Sequence, residues 1–401
     1  MRILVVTQYF WPENFRINDL VIGLIERGHE VEVLTGKPNY PKGDFYDGYS
    51  FLSKPLEIWN GANIHRSPLI PRGGAGGVKL MLNYLSFAIF CSMKALTLRG
   101  SFDKILVYEP SPITVGIPAI VVKLMKKAKI YFWVQDLWPQ SVTAAGGVSN
   151  KFVIGCLNKI SKWIYKKSDK ILIQSEGFRE TLLAQNVAND KIIYYPNSVE
   201  SLFSVREAKK QIIEKLPNGF KIMFAGNIGE SQDFETLVEA ARIVANVNKD
   251  IKWVILGDGR KKEFIQEKIK EFSLEAQFYL LGSYAVEMMP DFFACSDVLL
   301  VSLKKSEIFS LTIPSKVQSY LACGKPIIGA LDGEGAKIIA DAGAGFVAPS
   351  GNSIILAEKI LALYHLTPTD LSTMGINARK YFESNFEREK QLDKLLQIFD
   401  Y

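Results

Sequence analysis

Residues Ile313–Pro326 read Ile-Pro-Ser-Lys-Val-Gln-Ser-Tyr-Leu-Ala-Cys-Gly-Lys-Pro, and the interpretation of the whole chain starts from this stretch. Ser315 is a favourable N-cap, and Gln318 three residues later completes a capping-box pattern. Apolar residues then recur at helical spacing, at Val317, Tyr320 and Leu321. Gly324 predicts the end of this helix, and the apolar run after it predicts a strand over Lys325–Ala330. The pattern is typical of a helix between two strands of an α/β protein.

The start of this helix is a candidate phosphate site. Backbone N–H groups at a helix N-terminus are unpaired, and the positive end of the helix dipole attracts anions. Lys316 lies in the first turn, where the dipole disfavours a cation, so a nearby anion explains this residue better than helix stability does. For this stretch taken alone, an ordinary helix start is the alternative.

Composition limits the class of protein. The chain has 401 residues, 48% of them hydrophobic and 22% charged, which is enough for two domains with full cores. Its 4 cysteines have no paired spacing, which favours a reducing compartment over a disulfide framework or a zinc site. Met1 leads directly into an apolar strand pattern, so we expect no signal peptide and a cytoplasmic location.

The positive charge is concentrated in the first half of the chain. The net charge is +6, and lysines cluster in segments 123–129 and 151–170. No nucleic-acid-binding motif accompanies them, so we expect no nucleic-acid partner. An anionic membrane surface is the expected partner of these lysines.

Strand and helix patterns alternate along the chain, which predicts parallel sheets covered by helices. The first series closes at Pro196-Asn197, a polar linker follows over 198–219, and a second series begins at Lys221. The first strand-to-helix loop, Tyr9–Arg16, has no Gly-x-Gly pattern, which counts against an NAD-binding enzyme.

Two predicted helices could contact a membrane. Val78–Leu98 is the most apolar, but Lys79 and Lys94 interrupt it, so it is too short to span a bilayer. A buried core helix and an interfacial membrane helix are both open interpretations. Lys151–Lys167 predicts an amphipathic helix whose basic face is either solvated or in contact with anionic lipid. Its predicted apolar face consists of Val153, Cys156, Leu157, Ile160 and Ile164.

Glycine-rich turns follow successive strands of the second series. They are Gly226-Asn-Ile-Gly229, Gly257-Asp-Gly259 and Leu281-Gly-Ser-Tyr284. Such turns place backbone amides at the carboxyl edge of a sheet, where open α/β sheets bind ligands. Ordinary strand-to-helix turns are the alternative for each turn taken singly.

Motifs along the whole chain, taken in order, resemble those of glycosyltransferase family 4. They are Gln8-Tyr-Phe-Trp-Pro-Glu13, Arg27-Gly-His-Glu-Val31, Leu34-Thr-Gly-Lys-Pro-Asn-Tyr-Pro41, Trp133-Val-Gln-Asp-Leu-Trp-Pro139, Gly226-Asn-Ile-Gly229 and Ile313-Pro-Ser-Lys316. The most similar branch contains bacterial N-acetyl-L-fucosamine transferases of O-antigen and capsule assembly. The resemblance implies an α/β GT-B fold, in which two Rossmann-like domains face each other across a cleft. Residues 1–197 would form the acceptor and membrane-facing domain, 198–380 the nucleotide-sugar donor domain, and 381–401 a helix returning to the first domain.

The resemblance also implies site residues. Asp136 matches a polar residue that faces the reacting sugar, and Lys316 matches the basic residue near the phosphates, so both are candidate catalytic residues. The candidate donor-binding residues are Gly226, Asn227, Gly229, Gly257, Leu281, Gly282, Ser283, Tyr284, Pro314, Ser315 and Lys316. The candidate acceptor-side residues are Trp11, Glu13, Asn14 and Arg16. The chain departs from the family pattern at Leu311 and Ser319, where many members carry glutamates, so no glutamate is assigned to the ribose.

The resemblance implies a retaining, metal-independent transfer, and we expect an N-acetylated sugar to move from a UDP-sugar to a polyprenyl-diphosphate-linked acceptor. No cofactor and no metal are expected, since the chain has no Asp-x-Asp pair and only 3 histidines. The enzyme would act in surface-polysaccharide synthesis while attached peripherally to the inner face of the plasma membrane. Two alternatives stay open: a non-hydrolysing UDP-sugar 2-epimerase of the same fold, and a catalytically silent, transferase-like partner subunit.

Overall fold

The computed structural model of the chain describes residues 1–74, 77–144 and 150–400. The chain divides into two compact units, each built around its own sheet. The first unit contains Met1–Asn197 and the residues from Gln391 onward, and the second contains Ser198–Lys390.

The first unit has a sheet of eight strands in the order β3-β4-β2-β1-β5-β6-β7-β8. The strands are β1 (Arg2–Val6), β2 (Glu30–Gly36), β3 (Leu56–Trp59), β4 (Ala62–Ser67), β5 (Lys104–Glu109), β6 (Lys129–Val134), β7 (Lys170–Ile173) and β8 (Ile192–Tyr194). All neighbours pair in parallel except β3 and β4, which are antiparallel. The central strands are continuous apolar runs because helices cover both faces of a parallel sheet.

Helices alternate with the strands of the first unit, as its sequence pattern predicts. They are α1 (Arg16–Glu26), α2 (Gly77–Ala95), α3 (Gly116–Lys126), α4 (Gln140–Ala144), α5 (Lys151–Lys167) and α6 (Phe178–Ala184), with short 3-10 turns at Ile113–Val115 and Asn189–Lys191.

The second unit has a fully parallel sheet of six strands in the order β11-β10-β9-β12-β13-β14. The strands are β9 (Phe220–Ala225), β10 (Ile251–Leu256), β11 (Phe278–Gly282), β12 (Val298–Ser302), β13 (Ile327–Ala330) and β14 (Gly345–Ala348). Strand order reverses between β9 and β12, and the carboxyl edge at such a reversal is where open α/β sheets bind ligands.

The helices of the second unit follow the same alternation. They are α7 (Lys210–Ile213), α8 (Phe234–Val247), α9 (Lys262–Glu271), α10 (Met289–Ala294), α11 (Glu307–Ser310), α12 (Ser315–Ala322), α13 (Glu334–Asp341), α14 (Ser353–Tyr364) and α15 (Pro368–Asn385), with 3-10 turns at Glu230–Gln232 and Val286–Met288. The last helix, α16 (Arg388–Asp400), packs into the core of the first unit through Leu392, Leu395, Ile398 and Phe399.

The predicted capping box at Ser315 is wrong. Helix α12 has Pro314 as its N-cap, in an extended conformation, and no side chain caps the helix. Ser315 is therefore the first helical residue, and Val317 N–H bonds to the Pro314 carbonyl at 3.0 Å. The fixed φ of proline, −65° at Pro314, sets the entry into the helix without a polar side chain.

Helix α2 is buried along one face only, and its interfacial membrane role stays a prediction. One face is buried through Asn83, Ser86, Phe87, Ala88, Cys91 and Ala95. The opposite face exposes Val78 by 69%, Met81 by 52% and Ile89 by 58%. Among the described residues, no helix has both the length and the apolar character needed to cross a membrane.

The predicted apolar face of α5 is only partly correct. Ile164 is buried together with Ser161 and Tyr165, near the end of the helix. Val153 and Cys156, nearer its start, are exposed. The helix therefore packs on the unit through its last turns, and helical periodicity alone could not tell which turns find a partner.

Candidate active site

The carboxyl edge of the second sheet is formed by close backbone packing at two glycines. Gly226 follows β9 with φ +142°, and Gly257 follows β10 with φ +143°. A Cβ on residue 257 would collide with the Gly226 carbonyl oxygen. Side chains at either position would be strained, so glycine is required where these two strands end.

Lys316, in the first turn of α12, reaches back to this glycine turn. Its Nζ donates to Gln232 Oε1 and lies 4.1 Å from the centroid of the Phe224 ring. Burial lowers the pKa of Lys316 to about 7, and no carboxylate among the described residues offsets that effect. Burial therefore favours the neutral form of the Lys316 amine. An anion that binds beside it would favour the charged form again.

A cavity of about 480 Å³ opens at this edge of the second unit. Several of the predicted donor residues line it: Gly226, Asn227, Gly257, Ser283, Tyr284, Ser315 and Lys316. The other predicted donor residues, Gly229, Leu281, Gly282 and Pro314, are not in its lining. The cavity therefore brings together the start of α12, the glycine turns after β9 and β10, and the segment after β11.

Sequence reasoning did not assign the apolar wall of this cavity. The wall consists of Phe203, Val286, Met289, Phe293 and Tyr320. Tyr320 is fully buried, its hydroxyl accepts a hydrogen bond from Ala225 N–H at 3.2 Å, and its ring meets Phe293 edge-on at 5.1 Å. Tyr320 therefore connects α12 to the end of β9. Its helical spacing predicted only that it would be buried.

A second cavity of about 230 Å³ shares Ser315 and Lys316 with the first. Its remaining lining consists of Gln232, Val301, Leu303, Phe309, Thr312 and Pro314. Lys316 thus lies between two adjoining spaces, one large enough for a nucleoside and one that could hold a smaller group.

No glutamate is among the described residues that line the main cavity. Ser319, one of the two positions at which the sequence departs from the family pattern, lines the cavity. Asp258, which also lines it, is paired with Lys262 at 3.1 Å. Within the described residues there is no group of three or more His, Cys, Asp or Glu side chains that could hold a metal ion.

Asp136 lies in the first unit, two residues beyond the end of β6. It is partly buried, and burial raises its pKa to about 6. Glu109, at the end of the neighbouring strand β5, is fully buried, and burial followed by the charge of Asp136 raises its pKa well above the usual range. The two strand ends therefore carry a carboxyl pair in which burial and the charge of Asp136 disfavour ionisation of Glu109. Sequence reasoning selected Asp136 and missed Glu109.

Glu13, a predicted acceptor-side residue, has its carboxylate turned into the protein. It accepts hydrogen bonds from the backbone N–H groups of Phe10 at 3.1 Å and of Asn39 and Tyr40, each at 2.8 Å. Burial raises its pKa to about 7 although these bonds favour the ionised form. Glu13 therefore supports two loops rather than presenting its carboxylate at the surface.

The other predicted acceptor-side residues lie near the surface of the same loop. Trp11 is 37% exposed and stacks on Trp59 with ring centroids 5.7 Å apart. Asn14 is exposed, and Arg16 is the first residue of α1. Their assignment to the acceptor stays a prediction.

Comparison with solved structures identifies the architecture as that of the GT-B glycosyltransferases. The Anabaena protein Alr3699/HepE, solved in complex with UDP, matches with a TM-score of 0.68 at 12% identity and covers 100% of both chains. Sucrose-phosphate synthase from Thermosynechococcus elongatus matches with a TM-score of 0.73 at 16% identity, covering 100% of this chain and 98% of the other. At these identities the likeness concerns the fold.

Family models define the protein further. Residues 14–198 match the glycosyl transferase 4-like domain, and residues 205–381 match glycosyl transferases group 1. The chain is therefore a glycosyltransferase that combines these two domains. The chain is 25% identical over 340 residues to WcaI of Escherichia coli K12, which is named as a putative colanic acid biosynthesis glycosyl transferase. The match covers 81% of this chain and 82% of WcaI. The finer resemblance to N-acetyl-L-fucosamine transferases stays a prediction.

Proposed function

We propose that this glycosyltransferase moves a sugar from a UDP-sugar donor to a polyprenyl-diphosphate-linked acceptor during bacterial surface-polysaccharide synthesis. Binding of the UDP-sugar donor is supported mainly by the position of Lys316. Its amine has no carboxylate partner and lies against the Gly226 turn at the edge of a cavity. The similarity to WcaI, whose name refers to colanic acid biosynthesis, supports a role in polysaccharide synthesis. We further propose that the sugar is N-acetylated, as in N-acetylfucosamine.

The donor would bind along the carboxyl edge of the second sheet. The nucleoside would occupy the 480 Å³ cavity beside Tyr284 and Tyr320, and its diphosphate would meet Lys316 and the backbone amides of the Gly226 turn. As the bond to the sugar breaks, negative charge grows on the departing diphosphate. Donors fixed in advance at that position can be worth about 3–4 kcal/mol each in the transition state.

The transfer is proposed to retain anomeric configuration and to need neither metal nor cofactor. In front-side attack the acceptor hydroxyl approaches on the side of the leaving diphosphate, and a diphosphate oxygen takes its proton. The new glycosidic bond forms as the bond to UDP breaks, so no separate general base is required. Asp136, ionised above about pH 6, would orient the acceptor hydroxyl or the donor sugar.

Peripheral attachment to the inner face of the plasma membrane would bring the enzyme to its lipid-linked acceptor. The exposed apolar side of α2 and the basic side of α5 are the surfaces that support this proposal. Such a surface binds anionic lipid by apolar burial and by electrostatic attraction together.

Release of UDP tests the proposed reaction. The full chain would be incubated with a panel of UDP-sugars, with and without a polyprenyl-diphosphate-linked sugar, and UDP would be measured. Release that depends on the lipid acceptor supports the proposal, and Lys316→Ala should reduce turnover and weaken donor binding. Conversion of the UDP-sugar without UDP release would indicate an epimerase, and no reaction with any donor would indicate a silent partner subunit.

A further inference from the structure

Arg72 lies beside the acceptor-side loop of the first unit and carries a charge that the protein does not neutralise. Its Cζ is 4.9 Å from the centroid of the Tyr40 ring, and its Nη1 is 3.5 Å from the Tyr9 hydroxyl oxygen. Its backbone N–H donates to Asn39 Oδ1 at 3.1 Å. Within the described part of the chain, no carboxylate lies at ion-pair distance from the guanidinium.

The aromatic rings beside Arg72 pack against one another. Tyr9 is 3% exposed and stacks on Phe15 at 5.2 Å, and the Tyr40 ring lies 5.6 Å from Tyr9 and 5.4 Å from Phe15. The backbone of Tyr40 is in turn fixed by its hydrogen bond to Glu13. Stacking on one face leaves the N–H edges of a guanidinium available, and those edges match the geometry of phosphate.

A second cation stands close by. The side chain of Lys79 crosses Gly73 so closely that a Cβ on residue 73 would lie 2.6 Å from Lys79 Cδ and 3.5 Å from its Nζ. Lys79 has no ion-pair partner among the residues that the structure describes, and it is exposed in the first turn of α2.

The same helix then presents apolar side chains to the outside. Val78 is 69% exposed, Met81 52% and Leu85 46%. A guanidinium, an ammonium and an exposed apolar helix face therefore occur together between residues 72 and 85. The ligand chemistry that matches all of them is an anionic phosphate group joined to a hydrocarbon chain.

We propose that Arg72, assisted by Lys79, binds the diphosphate of the lipid-linked acceptor, with the hydrocarbon chain lying along the exposed side of α2. This inference rests on the proposed function, since it assigns the residues that recognise that acceptor. Binding would not have to break an existing ion pair of Arg72, so the full charge-assisted interaction is available to the ligand. Arg72 would thus select diphosphate-linked acceptors over uncharged ones.

A binding experiment with two matched probes tests the assignment. The full chain, saturated with UDP so that the donor site is filled, is titrated with farnesyl diphosphate and with farnesol in neutral detergent micelles. We expect Arg72→Gln to weaken farnesyl diphosphate binding about ten- to a hundredfold, the loss typical of a charge-assisted contact. Farnesol binding should not change, Lys79→Gln should have a smaller effect on the diphosphate, and Arg72→Lys should restore part of the affinity.

Controls separate this role from folding and from the membrane surface. Lys249→Gln removes an exposed charge from the second unit and should leave farnesyl diphosphate binding unchanged. If Arg72→Gln weakens both probes equally, or neither, the proposal is wrong. If Arg72→Gln instead reduces binding to phosphatidylglycerol vesicles but not to farnesyl diphosphate, Arg72 contacts phospholipid headgroups and the proposal is also wrong. The binding measurement needs no turnover. Its result can therefore be interpreted even if the UDP-release experiment detects no transfer.

Discussion

The side chain of Lys316 occupies the space that a side chain on residue 226 would need. A Cβ built on Gly226 would lie 2.6 Å from Lys316 Cε and 3.0 Å from its Nζ. The missing side chain at residue 226 therefore lets the ammonium lie against the backbone of the turn. Helix α12 and the turn after β9, about ninety residues apart in sequence, form one binding unit.

Gly226→Ala should therefore damage donor binding more than folding. The new methyl group would displace Lys316, and the backbone at φ +142° would be strained by about 1–3 kcal/mol. We expect the Kd of UDP to rise about tenfold or more, measured by calorimetry, together with a lower melting temperature.

Gly155→Ala provides the matched control. Gly155 is inside α5, and a Cβ there would meet nothing within 4 Å. This variant should be as stable as the parent or more so, because alanine favours helix by up to about 1 kcal/mol. Unchanged UDP binding in Gly226→Ala would contradict the proposed diphosphate site.

UDP binding should take up a proton at pH 8. The pKa of Lys316 is about 7 in the free protein, so its side chain is mostly neutral at pH 8. The bound diphosphate favours the charged form, and binding therefore draws a proton from the buffer. Calorimetry in buffers of different ionisation enthalpy measures this uptake.

Lys316→Met should abolish the proton uptake that is due to Lys316. The difference between the parent and this variant therefore separates the lysine proton from protons exchanged by UDP itself. Near pH 6, where the lysine is already charged, the parent and the variant should exchange the same number of protons. Equal proton exchange by both proteins at pH 8 would remove Lys316 from the diphosphate site.

The regular parts of the fold follow directly from sequence pattern. The bounds predicted for α5, Lys151–Lys167, agree with the structure because this segment begins and ends at clear changes of composition. The short strands β3 and β4 were not predicted. Strand β3 has no buried position, and β4 contains the polar residues Asn63, His65 and Arg66, so neither has the apolar run that marks the central strands.

Those parts of the candidate site that are formed by backbone could be predicted from the sequence. Glycines at strand ends identify the turns at 226 and 257 because few other residues fit such conformations. The apolar wall around Phe293 and the inward turn of Glu13 were not predictable, since both depend on contacts between segments distant in sequence. The prediction of a capping box at Ser315 was wrong because Pro314 is the N-cap of the helix.

Removing apolar surface from α2 should weaken membrane binding. Val78 and Ile89 are 69% and 58% exposed, so Val78→Ser with Ile89→Ser should preserve the fold while lowering recovery on anionic liposomes in a flotation assay. Val247 and Ile354, 67% and 62% exposed in the second unit, give a matched control pair whose replacement by serine should have no effect. Equal recovery of the two double variants would argue against membrane contact through α2.

Replacing Lys159, Lys162 and Lys166 together by glutamate tests the basic side of α5. The reversal of charge should lower recovery on anionic liposomes and leave recovery on neutral liposomes unchanged, because only the electrostatic part of binding is altered. UDP binding should be unaffected. Persistent recovery on anionic liposomes would mean that this side of the helix is a solvated surface.

Glu13→Gln should destabilise the first unit. The carboxylate accepts three backbone N–H groups through two oxygens, and a glutamine amide nitrogen cannot accept one of them. One buried donor would lose its partner, at a cost of about 1–3 kcal/mol in the free energy of unfolding, measured by denaturant titration. Glu30→Gln, at a residue whose side chain is 60% exposed and paired with Arg2, should change stability by less than about 1 kcal/mol.

The rate of transfer should fall as pH decreases through about 6, because Asp136 must be ionised to orient a hydroxyl and its pKa is about 6. Asp136→Asn should lower kcat about a hundredfold and remove this acid limb from the pH–rate profile. Glu109→Gln should leave the limb in place, because burial disfavours ionisation of the Glu109 carboxyl and raises its pKa well above the usual range. An acid limb that moves in Glu109→Gln but persists in Asp136→Asn would show that Glu109, and not Asp136, is the carboxyl group on which the reaction depends.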